Sequence, residues 1–227
     1  MSKSAAPRTP RVARDLSREA IVAAALVEMD VAGEAAFSLR RVAARLGRDP
    51  MALLYHLGSK EGLERAVADA LNAEVAAPDP ALPPRARLEA VARSYRALAR
   101  RHPRSFPLLL RFWTTGPADL RMAEAVYRAL EDMGLAADAV ADFGCGLYAA
   151  VLGLCAGEVG GLLAPSPASF VEEVRETDPA AHPALHRLLD TLPGRDPEAL
   201  FGRTVAALLD GINAAAREPR RGKAQRP

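Results

Sequence analysis

Two sets of chemistry-bearing residues stand out in the chain. One is basic and aromatic, and is packed into residues 39–63. The other is aromatic, and is spread from residue 95 to residue 148. The first stretch, LRRVAARLGRDPMALLYHLGSKEGL, carries Arg40, Arg48, Tyr55, His56 and Lys60. Ammonium, guanidinium and phenol groups hold phosphate oxygens, and arginine forks read base edges. Enzyme chemistry is not expected, because there is no nucleophile elbow, phosphate loop, HExxH pair or convincing carboxylate pair. His182 and His186 stand four residues apart on a helix start, but no third ligand lies near them. Neither a metal nor another cofactor is therefore expected.

The elements that must position the first set are legible. Leu39, Val42, Ala43 and Leu46 make one apolar face of a short helix, with Ser38 as N-cap and Gly47 as stop. Phe37 and Val42 are placed as a hydrophobic staple. Asp49-Pro50 restarts a helix in which Leu53 and Leu57 face inward, leaving Met51, Ala52, Tyr55 and His56 outward. Ser59-Lys60 opens a third helix. Two helices joined by a three-residue, glycine-containing turn form the helix-turn-helix pattern, whose second helix fits the major groove. An ordinary helical hairpin in an all-α protein would give similar spacing.

Within this stretch, LLYHLGSKEGL resembles the end of the recognition helix and the start of the next helix in TetR-type bacterial repressors. The resemblance covers the first three helices and the start of the fourth without a gap. It places Tyr55 and Lys60 on phosphates, Arg40 on a base or phosphate, and Met51 and Ala52 at base edges. Leu54 departs from the family, which often has tyrosine there, and leaves contact with a thymine methyl as a substitute. The DNA-contact set expected from pattern and resemblance is Ser38, Arg40, Arg48, Pro50, Met51, Ala52, Leu54, Tyr55, His56 and Lys60. With few hydrogen-bonding forks on the exposed side, readout is expected to rest on Arg40, Arg48, DNA shape and methyl contacts.

Around this unit the sequence reads as helices throughout, with no run of alternating β-branched residues. Ser17 caps a first helix ending at Gly33, with Leu16 and Ile21 as a second staple. A connecting helix from Lys60 to about Ala76 repeats Leu63, Val67, Leu71 and Val75, then meets the proline-rich segment 77–84. This stiff break is the expected domain boundary. The expected fold is all-α, an N-terminal three-helix helix-turn-helix domain joined to a C-terminal helical-bundle domain for regulation and dimerisation. Its expected divisions are a basic tail at 1–15, the DNA-binding domain and connecting helix at 16–76, the ligand-binding and dimerisation domain at 77–216, and a basic tail at 217–227. Each tail reads equally as solubilising or as weakly phosphate-attracting.

Cys145 and Cys155, ten residues apart in one helical pattern, point to different places and read as small core residues in a reducing cytosol. No apolar signal-peptide core opens the chain, so a cytoplasmic protein is expected, nucleoid-associated when bound to DNA. The apolar stretch 143–164, with Glu158 as its only charge, is long enough to span a bilayer. Its Gly and Ala content, the missing aromatic belt and Glu158 favour a buried, interface-forming helix, and no membrane partner is expected.

That stretch also holds Gly144, Gly146, Gly153, Gly157, Gly160 and Gly161, which implies close backbone approach. The family resemblance implies a dimer in which helices at Asp138–Leu162 and Pro197–Ala216 pair with their symmetry mates. Close packing within one chain is the alternative. Tyr95, Phe106, Phe112, Trp113, Tyr127, Phe143 and Tyr148 form the expected ligand-binding set, either around an apolar cavity or simply filling the core. The pattern HPALHRLL…DPEALFGRTVAALLDGI points to the tetracycline-repressor branch. The histidines of that branch's magnesium–tetracycline site have no counterpart in this region, and Glu158 is expected to lack partners.

The sequence therefore leads to a ligand-responsive repressor. It binds double-stranded, palindromic operator DNA as a homodimer and is released by a small, largely apolar effector. The competing expectation is an activator, or a regulator governed by a protein partner without a small inducer.

Overall fold

The computed structural model describes residues 16–217, and these are helical with no strand among them. The expectations for the tails fall on residues outside this range, apart from Arg217, which is the last residue of the final helix. Ten α-helices follow in order: α1 Arg18–Ala32, α2 Leu39–Leu46, α3 Pro50–Leu57, α4 Lys60–Ala73, α5 Pro84–Arg101, α6 Pro117–Asp132, α7 Ala137–Val159, α8 Ala168–Arg175, α9 Pro183–Leu188 and α10 Pro197–Arg217.

The first four helices start where side chains satisfy their free N–H groups. Ser17 accepts from Ala20 N–H, Ser38 from Arg41, Asp49 from Met51 and Ser59 from Gly62. Gly47 closes α2 in the left-handed region at φ 64°, where a β-carbon would be strained. Both staples are in place, since Ile21 and Val42 are fully buried and Phe37 nearly so. Three details differ from expectation. Helix α4 ends at Ala73 with Glu74 as its cap, not near Ala76. Helix α7 starts at an Ala136 cap, while Asp138 lies inside its first turn and accepts from Ala139 N–H. It ends at Val159, so Gly160 is its cap and Gly161 lies beyond, before Pro165 is reached.

Packing runs without a gap across the proline-rich segment. One apolar cluster extends from Ile21 in α1, through Leu63, Val67 and Leu71 in α4, to Leu209 and Ile212 in α10. Helix α4 packs on α1 on one side and on α6 on the other. Its far end is clamped to α5. His102 Nδ1 lies 2.7 Å from Asp30 of α1 and its Nε2 lies 3.2 Å from Glu74, to which Arg101 also pairs at 3.0 Å. A small separate cluster, Val171, Val174 and Leu189, holds α8 to the segment around α9.

Among the described helices, α7 has the length and apolar composition to cross a membrane. Here it packs along α5, α6 and α10 through Val140, Leu147, Val151, Leu152 and Cys155. Cys145 and Cys155 are both free, and burial pushes the Cys155 thiol up to about 12, which keeps it an uncharged core group. Glu158 does not lack partners. It receives a two-pronged contact from buried Arg96 at 2.6 and 2.9 Å, joining α7 to α5, and Arg96 extends to Glu198 of α10.

The glycines of α7 divide by face. A β-carbon on Gly144 would sit 2.3 Å from the Tyr127 ring, so this glycine serves packing within the chain. Gly146 and Gly153 face open space. Gly144→Ala should force Tyr127 aside at roughly 1–3 kcal/mol of overpacking. Up to about 1 kcal/mol of helix propensity offsets that cost. Urea denaturation should therefore report net destabilisation, and Gly146→Ala in the same assay should not.

Candidate DNA-binding surface and internal cavity

Leu53 and Leu57 anchor α3 in the core, at 0% and 8% exposure, and this turns its other side to solvent. Tyr55 is 89% exposed and Met51 69%. Ala52, Leu54 and His56 are half-buried beside them, and Pro50 occupies the first helical position. The Tyr55 and His56 rings meet edge to face at 5.6 Å. Arg40 is exposed at the second position of α2, and Arg48 is exposed in the turn. Ser38 is engaged as the α2 cap. Lys60 stands at the first position of α4, where the helix dipole and free N–H groups favour an anion. Its ammonium pairs with Glu64 at 3.3 Å, and Glu64 in turn pairs with Arg111 at 3.4 Å. A phosphate at Lys60 therefore competes with a nearly buried carboxylate.

Glu28 of α1 orients α2. Its carboxylate accepts from Arg41 and, at 2.9 Å, from Arg45, and these bonds hold its pKa below the usual carboxylate range. The sign of the linkage follows. Because the native value lies below the ordinary 4.5, Glu28 contributes stability above that value and loses the contribution as pH falls through the lower native value. Glu28→Gln should lower stability at neutral pH and flatten the acid side of the stability curve. Denaturant midpoints between neutral and acidic pH check this.

The second half holds a partly open cavity of about 380 Å³ between α5, α6, α7 and the 3-10 turn Phe106–Arg111 with the segment after it. Of the aromatic set expected at a ligand site, Tyr95, Phe112, Trp113, Tyr127 and Tyr148 line the wall. Phe106 and Phe143 do not. Phe106 is fully buried in the core, because the 3-10 turn points its apolar residues to more than one side, and Phe143 packs half-buried on the core outside the cavity wall. Tyr95 and Tyr148 meet edge to face at 5.7 Å, and Trp113 is 89% exposed.

A polar network behind this wall was not foreseen. Asn72 of α4 donates to Thr115 at 3.0 Å and to Asp119 at 3.4 Å, and accepts from the Tyr95 hydroxyl at 3.0 Å. Asp69, one helical turn earlier, caps α6 from outside: one oxygen accepts from the Thr115 hydroxyl and from Ala118 and Asp119 N–H at 3.0–3.2 Å. Gly116 permits this approach, since a β-carbon there would lie 2.7 Å from the Asp69 carboxylate. Arg65, a further turn back, donates to the Thr114 carbonyl and lies over the Phe112 ring at 4.7 Å. Arg65, Asp69 and Asn72 thus form one polar face of α4 laid against the cavity wall. Their spacing of four and three residues was the available signal. Burial, and secondarily the Asp119 charge, pushes the Tyr148 hydroxyl up to about 12, so it stays a neutral donor at physiological pH.

An exposed second helix on a helix-turn-helix, carried on a helical body with an internal cavity, defines an all-helical transcriptional regulator. Residues 79–216 match the family model for the tetracyclin repressor-like C-terminal domain. A solved transcriptional regulator from Streptomyces coelicolor A3(2) is 31% identical, with a TM-score of 0.73 over 89% of this chain and 99% of that one. SCO7222, a TetR from Streptomyces coelicolor, is 28% identical at TM-score 0.72, over 89% and 100%. ActR of Streptomyces coelicolor, solved in complex with actinorhodin, shares the fold at TM-score 0.78 and 23% identity, over 89% and 99%. No curated protein matches the chain. The chain belongs to the TetR family of transcriptional regulators.

Proposed function

We propose that this regulator is a repressor that binds a palindromic operator as a homodimer and releases it when a small, largely apolar molecule fills the cavity. The observation that carries this reading is the polar face of α4. The same helix that continues from the recognition helix through Ser59 is hydrogen-bonded, through Asp69 and Asn72, to residues of the cavity wall. A ligand that prefers a different position of α6 must then also prefer a different position of α4, which is the differential affinity that allostery requires. That ActR has been solved with actinorhodin and with (S)-DNPA supports the reading that a protein of this fold takes up a small molecule.

In this reading residues 16–76 hold DNA and residues 77–216 bind effector and dimerise. Arg40 and Arg48 read bases, Tyr55 and Lys60 hold phosphates, and Met51, Ala52 and Leu54 meet methyl groups. The exposed faces of α7 and α10 carry Gly146, Gly153, Gly202 and Gly211 with open space above each, and these faces pair with a second copy. A two-fold protein suits a two-fold operator.

The direct test is footprinting of the full-length protein on genomic fragments recovered by their affinity for it. A symmetric footprint is expected; an asymmetric one, or no retained fragment, would remove the repressor-dimer reading. Tyr55→Ala and Lys60→Ala should weaken all sequences alike, the latter reducing the salt slope by about 1, while Arg40→Ala should cost roughly 1–3 kcal/mol and relax preference at particular positions. Gly153→Ala should stabilise the isolated protomer by up to about 1 kcal/mol. In sedimentation the same change should weaken self-association by roughly 1–3 kcal/mol through overpacking.

A further inference from the structure

The chemistry of the cavity wall selects a class of ligand, given the reading that this cavity is the effector site. Among the described residues seventeen line it, and none of these is Lys, Arg or His. Its one carboxylate, Asp119, is only 8% exposed. That carboxylate accepts from Thr115 N–H at 3.1 Å and, at the long distance of 3.4 Å, from Asn72. It stands in the first turn of α6, where the helix dipole favours negative charge. Among the described residues neither Asp119 nor Asp69 behind it has a cation within ion-pairing distance. Arg65 and Arg111 approach the region only from outside the wall, around Phe112, and are paired with Glu61 and with Glu34 and Glu64.

A second feature belongs to the same wall. The Thr114 hydroxyl oxygen is buried on this wall without a hydrogen-bond partner, although buried polar atoms are ordinarily satisfied. The remaining surface offers the rings of Tyr95, Phe112, Trp113, Tyr127 and Tyr148, whose faces attract cations. A buried carboxylate held by neutral donors but without a counter-cation, beside a wall of aromatic rings, gains once a desolvated positive charge enters. An anion is repelled by that carboxylate and meets no cation among the described lining residues.

We propose that the cavity takes a lipophilic cation, an apolar or aromatic body bearing a quaternary or protonated nitrogen, with the positive centre at the Asp119 end and the body along the rings. Neutralising Asp119 also alters the acceptor shared by Asn72 and Thr115, so the charge of the ligand is felt on α4 directly.

The test uses the full-length protein and two probes of like shape and opposite charge, tetraphenylphosphonium and tetraphenylborate, with triphenylphosphine oxide as a neutral comparison. Trp113, the only tryptophan, reports binding by its fluorescence, and calorimetry gives the affinities. Tetraphenylphosphonium should bind at least about tenfold more tightly than either other probe, and Asp119→Asn should remove that preference while leaving the neutral probe unchanged. The comparison in the unaltered protein stands even if Asp119→Asn folds poorly. Equal or tighter binding of the borate or the neutral probe overturns the cation assignment and leaves the effector cavity intact. Failure of all three probes to bind overturns both readings.

Discussion

The hydrogen bonds of Asp69 and Asn72 are the constraint on which the rest of this molecule depends. Each side chain belongs to the helix that follows the recognition helix, yet each is spent on residues of the regulatory half. Removing either would strand buried partners. Loss of Asn72 leaves Tyr95 without its acceptor and Asp119 with one donor fewer, and loss of Asp69 uncaps α6. The helix-turn-helix is therefore not an independent domain tethered by a linker. Proline interrupts the chain at 77–84 but the apolar core continues beside it.

What could be read from the sequence was local. Caps at Ser17, Ser38, Asp49 and Ser59, the staples, the left-handed Gly47 and the inward pair Leu53 and Leu57 depend on neighbours within a few residues, so their pattern is written consecutively. The outward side of α3 follows from that pair by subtraction. Long-range polar contacts were not legible. Asp69 and Asn72 meet Thr115 and Asp119 across more than forty residues, and a polar residue on a helix ordinarily faces water. Glu158 reads as partnerless in the sequence for the same reason, since Arg96 lies sixty-two residues away. Aromatic composition located the cavity only to within its neighbourhood. Which ring faces the space and which fills the core depends on the 3-10 turn, and that turn buries Phe106 while leaving Phe112 on the wall.

Charge is distributed to match this division of labour. Arg41 and Arg45 share Glu28, Arg87 pairs with Asp132, and Arg111 pairs with Glu34 and Glu64, so these arginines serve as joints between neighbouring elements. The interior pair Arg96–Glu158 binds α5 to α7 and steadies the wall opposite α6. Asp119 stands apart from both groups as a carboxylate on the cavity wall that is held by uncharged donors, the Thr115 N–H, the Asn72 amide and the Tyr148 hydroxyl.

The clamp at His102 gives α4 a mechanical property. With Glu74 fixed to α5 and Asp30 fixed beside it, that end of the helix is a fulcrum. At 1.5 Å per residue, Asp69 lies about 7.5 Å from the fulcrum and Lys60 about 21 Å from it. A rigid helix turning about that point multiplies a shift at Asp69 nearly threefold at Lys60, by the ratio of those two lengths. Under the proposed function, the geometry of this lever, more than the size of the ligand, sets how far the α3 end of α4 moves for a given shift at Asp69.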